Sequence, residues 1–403
     1  MLSKTKNEKL TKIVLSLMPF GLILINIKLF NIGEAAFKPI HIIVLITIVV
    51  GLTKGVSYKR LLILLFYSMV PMLALNNIVS YPAFLSTYLI YLMSLMLLFL
   101  GMPSLLKSNK LDIQKVFILL FRAFNFTALY GILQFVLANF FDDYRLYNNL
   151  GRFQFHPHLD NQIFGIIRAT SIYIEPSVFA WIATTVLVLV VFLYDHKILS
   201  ENEKKITVSL CLLSLLIAFS AAGFVSLIFI LMIYNANAKL SYHSILINGL
   251  ILLSLILILV IEPGLIKYLR LSEITRQNTS GYIRIVEPFY AMKDVMSNYP
   301  LFGRGLGQIG VFDQNLQYNM NIHNSLYGSI ITFGVMSAAY YIPILFKFSK
   351  IIKQNKKSVL LIINLLFIFL TTGSFLSLEL PLIYCLYIFA IKYKNDCGLM
   401  GEE

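Results

Sequence analysis

Charged residues are scarce in this sequence. Only 13% of its 403 residues are Asp, Glu, Lys or Arg, while 58% are hydrophobic and the mean hydropathy is +0.80. Soluble domains carry roughly 25% charged residues. The apolar residues form runs of roughly 17 to 25, which is the length a helix needs to cross a bilayer. The shortage of charge therefore excludes an ordinary soluble protein and predicts an all-α, polytopic integral membrane protein.

Cysteine and clustered carboxylates are also scarce. Cys211, Cys385 and Cys397 are the only cysteines, and their spacing fits neither a disulfide framework nor a metal cluster. No group of acidic residues has metal-site spacing, so we expect no metal and no cofactor. The apolar run after the basic N-terminus is too long for a signal-peptide core and lacks a small-residue cleavage site. It predicts an anchor that is retained.

The net charge of +14 lies mainly in short loops rather than on a soluble face. Loops 53–60, 107–115, 195–205 and 347–357 each contain at least three Lys or Arg residues. Short basic loops stay on the cytoplasmic side of a membrane. This distribution predicts that both termini are cytoplasmic, and it argues against nucleic acid as a partner.

The hydropathy pattern divides the chain into about twelve membrane helices within a single domain, 1–403. Their predicted positions are 12–31, 39–53, 60–77, 83–106, 115–140, 173–194, 206–220, 223–237, 244–262, 322–346, 357–371 and 374–391. Two long loops remain, 141–172 and 263–321, and both are predicted to be extracytoplasmic. The second lies between the ninth and tenth helices, and apolar residues at helical spacing in 281–297 predict an amphipathic helix at the outer interface.

The first long loop ends in RATSIYIEPS, residues 168–177. Arg168 and Glu175 are seven residues apart, which places them on one face if the segment is helical. Pro176 suits a first helical turn, where a carboxylate interacts favourably with the helix dipole. Glu175 is therefore either a helix-start carboxylate or a group that faces substrate, and the sequence leaves both interpretations open.

The second long loop contains Tyr282, Arg284, Glu287 and Arg304. Arg284 and Glu287 are spaced for a simple ion pair. The stretch GLGQIG, residues 305–310, matches a dinucleotide fingerprint, but that motif requires a strand within a βαβ unit. We reject that interpretation. The glycines instead predict a tight re-entry of the chain, with backbone N–H groups available to an anion.

His323 and Asn324 lie in NIHNSLYG, residues 321–328, where a polar stretch meets an apolar run. Asn324 is an N-cap candidate. His323 is either a polar cap or a general base, the role for which histidine suits neutral pH. Together with Arg168, Arg284 and Arg304 it forms a set typical of pyrophosphate binding, because arginine forks match phosphate oxygens.

These motifs resemble the O-antigen polymerase and ligase superfamily, the Wzy-type enzymes. The resemblance is sharpest at RATSIYIEPS, at Arg284 followed by PLFGRGLG (300–307), and at His323-Asn324-Ser325 with Gly334 downstream. The order and placement of the motifs, together with about twelve helices and the large outer loop, extend the resemblance over the whole chain. The family often has Ser-x-Ser-Arg in mid-chain, where this sequence reads SAAGF from Ser220. No role of that arginine is carried over.

The resemblance implies a GT-C-like fold and a metal-independent glycosyltransferase at the outer face of a bacterial cytoplasmic membrane. Donor and acceptor would be oligosaccharides linked to undecaprenyl pyrophosphate, in contact with membrane lipid, with a chain-length regulator and a flippase as further partners. Arg168, Arg284, His323 and Glu175 would be catalytic. Arg304, Asn324, Tyr282 and Glu287 would bind substrate.

Three alternatives remain. A ligase would move a finished glycan to another acceptor and would share the same motifs. A lipid-linked glycan transporter would place ionisable residues near the bilayer midplane and would often show repeated halves. Only Arg122 and Glu379 approach the predicted midplane, and no repeat is evident, which favours an enzyme. A non-catalytic assembly partner would not need the arginines and the histidine.

Overall fold

The structure is a computed structural model. It describes residues 4–25, 27, 29–32, 35–78, 80–148, 162–163, 166–173, 175–194, 196, 198–220, 223, 225–228, 230, 280–308, 312–313, 318–319, 325–354, 356–371 and 378–398. All structural statements concern these residues.

Helices dominate the described residues. They are α1 Lys4–Ile23, α2 Pro39–Thr53, α3 Tyr58–Met69, α4 Tyr81–Met96, α5 Met102–Leu105, α6 Lys110–Phe140, α7 Arg145–Asn148, α8 Pro176–Phe192, α9 Glu201–Ala218, α10 Ser280–Asn298, α11 Ser325–Phe333, α12 Ala338–Gln354, α13 Val359–Thr371 and α14 Glu379–Gly398. The 3₁₀ segments are Val70–Asn77, Gly334–Ser337 and Lys356–Ser358, and Leu97–Gly101 is a π-helical turn that joins α4 to α5.

Three short antiparallel ladders complete the described structure. β1 Phe30–Ile32 pairs with β2 Ala35–Phe37, β3 Gln162–Ile163 with β4 Ile166–Ile167, and β5 Phe312–Asp313 with β6 Tyr318–Asn319. Each ladder has only two strands, so none forms a layer of the fold. The protein is a helical bundle with small hairpins in its connections.

Four helical stretches are long and apolar enough to cross a membrane: Tyr58–Asn77, Tyr81–Leu105, Lys110–Phe140 and Ser325–Lys353. Shorter apolar helices are Pro39–Thr53, Pro176–Phe192 and Val359–Leu370. The helical membrane protein is thus confirmed, whereas the count of about twelve spans stays a prediction. The predicted helix 244–262 and much of 223–237 lie outside the described residues.

The first predicted helix, 12–31, is placed wrongly. The helix observed there, α1, begins at Lys4 and ends at Ile23, and the hairpin β1–β2 follows it. Lys, Glu and Leu are good helix formers, so the helix extends into the basic N-terminal stretch that a hydropathy window ignores. The hairpin uses apolar residues that the same window had assigned to the membrane.

Helix α8 is the centre of the bundle. Most of its side chains are buried, and it packs against α9, α13 and α14. A helix that is hydrophobic on all sides belongs inside a protein rather than on its surface. Helix α3 differs, because Leu62, Leu65 and Phe66 are exposed at its surface. The bundle therefore has a protein-buried centre and a lipid-compatible periphery.

One end of the bundle is capped by lysines, and we call it the lysine end. The Nζ atom of Lys392 donates to the Ser108 carbonyl at 2.9 Å, and that of Lys204 donates to the Tyr194 carbonyl at 2.7 Å. Lysines there compensate the carbonyl groups that helices leave unbonded at their C-termini. The opposite end, which carries the ends of α3 and α6 and the start of α8, is called the loop end.

The two charges that approached the predicted midplane lie beside helix ends. Arg122 of α6 pairs with Glu203 at 2.9 Å, in the first turn of α9. Glu379, the first residue of α14, pairs with Lys38 at 3.5 Å, just before α2. Both charges thus have partners at the boundary of the bundle.

Candidate functional site

Residues 166–175, the first loop segment, are held on α6 by two amide side chains. Asn139 accepts a hydrogen bond from the backbone N–H of Ile167 at 2.7 Å and donates to its carbonyl at 2.9 Å. The Oε1 atom of Gln134 accepts from the backbone N–H groups of Thr170, at 3.0 Å, and Ser171, at 2.8 Å. These bonds satisfy backbone groups that lie outside any helix.

The first loop segment is not helical around Arg168. Ser171 adopts a φ of +54°, and the backbone N–H of Ala169 donates to the Ile217 carbonyl at 2.9 Å, at the end of α9. Helical spacing therefore does not put Arg168 and Glu175 on one face. Arg168 is buried, with 8% of its surface exposed.

Glu175 is the N-cap of α8, with Pro176 in the first turn. The side chain is exposed, and its Oε2 atom accepts a hydrogen bond from the Ser177 hydroxyl at 2.8 Å. The structure thus gives Glu175 the position of a helix-start carboxylate. Because the carboxylate is exposed at the loop end, the alternative role toward substrate stays a prediction.

Residues 299–308, the glycine segment, pair with the end of α11 through backbone bonds. The N–H groups of Arg304 and Gly305 donate to the carbonyls of Ile331, at 2.9 Å, and Thr332, at 3.0 Å. In the other direction, the N–H of Val335 donates to the Pro300 carbonyl at 2.9 Å. The N–H groups of Arg304 and Gly305 are thus used in packing, which disfavours the suggested binding of an anion by them.

Glycine is required at three points of this segment. Gly303, Gly305 and Gly307 have φ values of +64°, +87° and +74°. A Cβ atom on Gly303 would lie 2.4 Å from the Ile331 carbonyl oxygen, and one on Gly307 would lie 2.2 Å from that of Ala83. The predicted tight re-entry of the chain has this physical basis: backbone meets backbone on both sides.

Arg304 is the largest fully buried side chain among the described residues, with 1% of its surface exposed. Two amides fix the backbone beside it. Asn77 donates from Nδ2 to the Gly303 carbonyl at 2.7 Å, and Gln308 accepts from the Ser80 N–H at 3.0 Å. Arg304 is therefore held between the end of α3, the start of α4 and the end of α11.

Helix α10 carries Tyr282, Arg284 and Glu287 near its start. Tyr282 and Glu287 are half-buried, and each makes contacts within the protein. The buried side of α10 contains Ala291 and Val295, which pack with Ile331 of α11. Helix α10 therefore packs against α11, the helix that follows the glycine segment in the chain.

Two apolar residues of the stripe expected on this helix are exposed. Phe289 and Tyr290, two of the residues that suggested it, are 49% and 56% exposed. The small residue Ala291 allows α10 to approach α11 closely, whereas the large aromatic rings do not fit there. The pattern of apolar residues identified the helix, and its position at the outer interface stays a prediction.

His323 and Asn324 lie outside the described residues, so their geometry and their convergence with the arginines stay predictions. Helix α11 begins at Ser325, directly after them. Within the part of the chain that the structure describes, no group of three His, Cys, Asp or Glu side chains is close enough to hold a metal ion.

An ion pair lies beyond the end of α6. Arg145 donates from Nη2 to Asp143 at 2.7 Å, and these bonds lower the pKa of the Asp143 carboxyl to about 2. The pair is close to the solvent, since the Arg145 side chain is 83% exposed. The Asp143 carboxyl therefore stays ionised over the whole physiological pH range, with its charge balanced by Arg145.

Sequence reasoning missed the four amides that hold the two segments: Asn77, Gln134, Asn139 and Gln308. A signal was present for Gln134, because a glutamine inside a long apolar helix must find hydrogen-bond partners in place of water. The presence of this glutamine did not indicate which segment of the chain supplies its hydrogen-bond partners.

Comparison with known proteins identifies the family. The sequence model of the WcaD colanic acid polymerase family matches residues 13–393, which is nearly the whole chain. No curated protein matches the chain significantly. The family match supports a Wzy-type polymerase of polysaccharide repeat units and disfavours the ligase and the transporter, while placement in the wider superfamily stays a prediction. The chain belongs to the WcaD colanic acid polymerase family.

Proposed function

We propose that this polymerase joins oligosaccharide repeat units carried on undecaprenyl pyrophosphate, at the loop end of the bundle and outside the cytoplasm. The burial of Arg304 at that end carries the proposal. Arginine is rare inside membrane proteins and marks functional sites there. Its planar fork matches the oxygens of a pyrophosphate. The lysine-rich opposite end supports the orientation, because basic residues concentrate on the cytoplasmic side.

The reaction is a single glycosyl transfer. A hydroxyl oxygen of the acceptor sugar bonds to the anomeric carbon of the donor, and the bond from that carbon to the pyrophosphate oxygen breaks. Arg168, Arg284 and Arg304 neutralise the charge that develops on the leaving pyrophosphate, an electrostatic role suited to a water-poor site. His323 accepts the proton of the attacking hydroxyl.

The remaining predicted residues bind sugar or orient the arginines. Glu175 is exposed at the start of α8, beside the segment that carries Arg168. Tyr282 and Glu287 lie on the same helix as Arg284. Asn324 follows His323 directly. The sequence contains no clustered carboxylates with metal-site spacing, so we propose a metal-independent reaction in which arginine supplies the positive charge.

The decisive experiment is a gel of surface polysaccharide from a deletion strain that carries wild type, Arg284→Ala or His323→Ala. We expect both variants to keep single repeats on the lipid carrier and to form no ladder. Arg145→Ala is the matched control, because it removes an exposed arginine from the loop end whose carboxylate partner is the neighbouring Asp143. It should give a normal ladder at an equal level of inserted protein.

Normal ladders from Arg284→Ala and His323→Ala would contradict the mechanism. Substrate trapped on the cytoplasmic side in the deletion strain would instead indicate a transporter. Metal independence is tested separately, with purified protein, a lipid pyrophosphate-linked repeat and excess chelator. We expect polymer in the presence of the chelator, and loss of polymer that added Mg²⁺ restores would overturn this part of the proposal.

A further inference from the structure

Two prolines lie in helical segments whose hydrogen bonds they alter. Pro71 is the second residue of the 3₁₀ segment Val70–Asn77, which follows α3, and Pro343 lies inside α12. Proline has no N–H group, so the carbonyl four residues earlier loses its helical donor. The affected carbonyls belong to Tyr67 and Ala339. In a bilayer no water is present to replace the missing donors.

Tyrosine hydroxyls from neighbouring helices replace both donors. Tyr91 of α4 donates to the Tyr67 carbonyl at 2.6 Å, and Tyr67 of α3 donates to the Ala339 carbonyl at 2.8 Å. The hydroxyls of Tyr91 and Tyr340 also bond to each other. We call Tyr67, Tyr91 and Tyr340 the tyrosine brace. The brace joins α3, α4 and α12 at the two carbonyls that lose their helical donor to proline.

A fourth tyrosine, Tyr88, bonds to the next carbonyl along α3. Tyr88 donates to the Ser68 carbonyl at 3.0 Å, at the point where α-helix gives way to the 3₁₀ segment. Tyr88 and Tyr91 are three residues apart and thus on one face of α4. Two successive carbonyls at the break therefore receive a hydroxyl from the same helix face.

The 3₁₀ segment that contains Pro71 reaches the proposed site. Asn77, its last residue, donates to the Gly303 carbonyl at 2.7 Å, directly before Arg304. A Cβ atom on Gly305 would lie 3.6 Å from the Ala74 carbonyl oxygen, in ordinary van der Waals contact, so the two segments pack closely. The position of the 3₁₀ segment thus affects where the backbone of Arg304 can lie.

We propose that the tyrosine brace positions Arg304 for its contact with the substrate pyrophosphate. The brace stabilises the backbone where the α-helix ends before Pro71. Asn77, at the end of the 3₁₀ segment, then fixes the position of the glycine segment through its bond to the Gly303 carbonyl. An alanine at position 71 would supply its own N–H to the Tyr67 carbonyl and would not need the Tyr91 hydroxyl. The proline and the tyrosines therefore stabilise a change from α to 3₁₀ geometry in place of a continuous α-helix. This inference rests on the proposed function of Arg304.

The test uses Pro71→Ala, Tyr91→Phe and their combination in purified full-length protein, with thermal stability and polymer formation measured on each. Pro71→Ala should keep or raise the melting temperature and still lower kcat/KM for the lipid-linked repeat at least tenfold, because Asn77 moves. Tyr91→Phe should lower both quantities. In the double variant, Pro71→Ala should restore the stability that Tyr91→Phe removes, while turnover stays low.

Two further variants make the result specific. Asn77→Ala should lower turnover with little change in melting temperature, since it removes the link to Gly303 and leaves the brace intact. Tyr384→Phe is the control, because this tyrosine lies in α14 and its ring contacts Lys347. It should behave as wild type in both measurements.

The outcomes separate this inference from the proposed function. Full turnover in Arg304→Lys would overturn the phosphate-binding role and with it the purpose of the brace. Loss of turnover in Arg304→Lys combined with full turnover in Pro71→Ala would overturn the brace alone. Strict additivity of Pro71→Ala and Tyr91→Phe in melting temperature would also overturn it, because the two groups would then act on different carbonyls.

Discussion

The first loop segment and the glycine segment both hold a buried arginine at the loop end, but they are fixed in opposite ways. The first, 166–175, is fastened by side chains of a distant helix, chiefly Gln134 of α6. The second, 299–308, is fastened by its own backbone, which pairs with the end of α11 at positions where only glycine fits. The glycine segment thus depends mainly on residues inside its motif, with Asn77 as a further support from outside, whereas the first segment depends on side chains outside its motif.

This difference has a consequence for how sequence motifs are interpreted. Gly303, Gly305 and Gly307 occur within a motif that resembles a polymerase family, and their role is to let two backbones touch. Arg168 also occurs within a motif, yet its burial depends on Gln134 and Asn139, which no motif contains. A motif can therefore mark a packing requirement, and a residue outside any motif can position a functional side chain.

The largest effect should come from the glycine segment. In Gly303→Ala the new Cβ would lie 2.4 Å from a backbone oxygen at a φ of +64°, so backbone must move. We expect a loss of more than about 3 kcal/mol of stability and little inserted protein. Gly55→Ala is the control, with a φ of +82° and no atom within 4 Å of the new Cβ.

The control should lose only about 1–2 kcal/mol, the strain of the left-handed conformation alone. Thermal unfolding in detergent measures both variants. Equal losses would show that backbone strain, and not the contact between the glycine segment and α11, makes Gly303 necessary.

The next effect compares the two arginines. Arg168→Lys and Arg304→Lys keep a positive charge but lose the planar fork. We expect each to lower polymer formation by about 10²-fold, the typical loss when one stabilising donor is removed. If both hold the same pyrophosphate, the double variant should lose little more than either one. A fully multiplicative loss in reconstituted vesicles would mean that the two segments serve separate steps.

A smaller effect is expected when the hydrogen bonds between Gln134 and the first loop segment are removed. Gln134→Leu leaves the N–H groups of Thr170 and Ser171 without their acceptor. Buried unsatisfied donors destabilise a protein by about 1–3 kcal/mol each. Asn125→Leu on the same helix is the control, because within the described part of the chain Asn125 bonds to a single group, the Thr207 hydroxyl, at 3.0 Å.

The control should lose about 1 kcal/mol or less, since the Thr207 hydroxyl keeps its own bond to the Glu203 carbonyl. Urea unfolding in detergent gives both values. If Gln134→Leu were as mild as the control, the first segment would be held by packing rather than by the amide.

The smallest effect lies at the other end of α6. The Arg122 guanidinium bonds to Glu203 and lowers the pKa of that carboxyl below its usual 4.5. The stabilisation is present above the usual pKa and is lost as the pH falls through the lowered value. Because the pair is partly exposed, Arg122→Ala should remove only about 0–1 kcal/mol.

The pH profile distinguishes this pair from general helix packing. The melting temperature of Arg122→Ala should converge with that of wild type as the pH falls from about 7 to about 3. A constant difference over that range would mean that the Arg122 side chain acts through packing and not through its charge.

The sequence determined the class of this protein, because local patterns are sufficient for it. Long apolar runs predicted membrane helices, basic loops predicted an orientation, and short motifs around Arg168, Arg304 and His323 led to the polymerase family. Helix boundaries were less well predicted, since hydropathy windows do not register the helix propensity of Lys4–Lys12 or the hairpin after α1.

The tertiary structure alone decided how the two arginine segments are held. The bond from Asn77 to Gly303 joins residues 226 positions apart, and the bonds from Gln134 to Thr170 and Ser171 join α6 to a loop. Likewise, only the packed bundle shows that Tyr91 faces the carbonyl that Pro71 leaves open. A sequence pattern reports which backbone groups lack a local partner. Which distant side chain supplies that partner depends on how the helices pack.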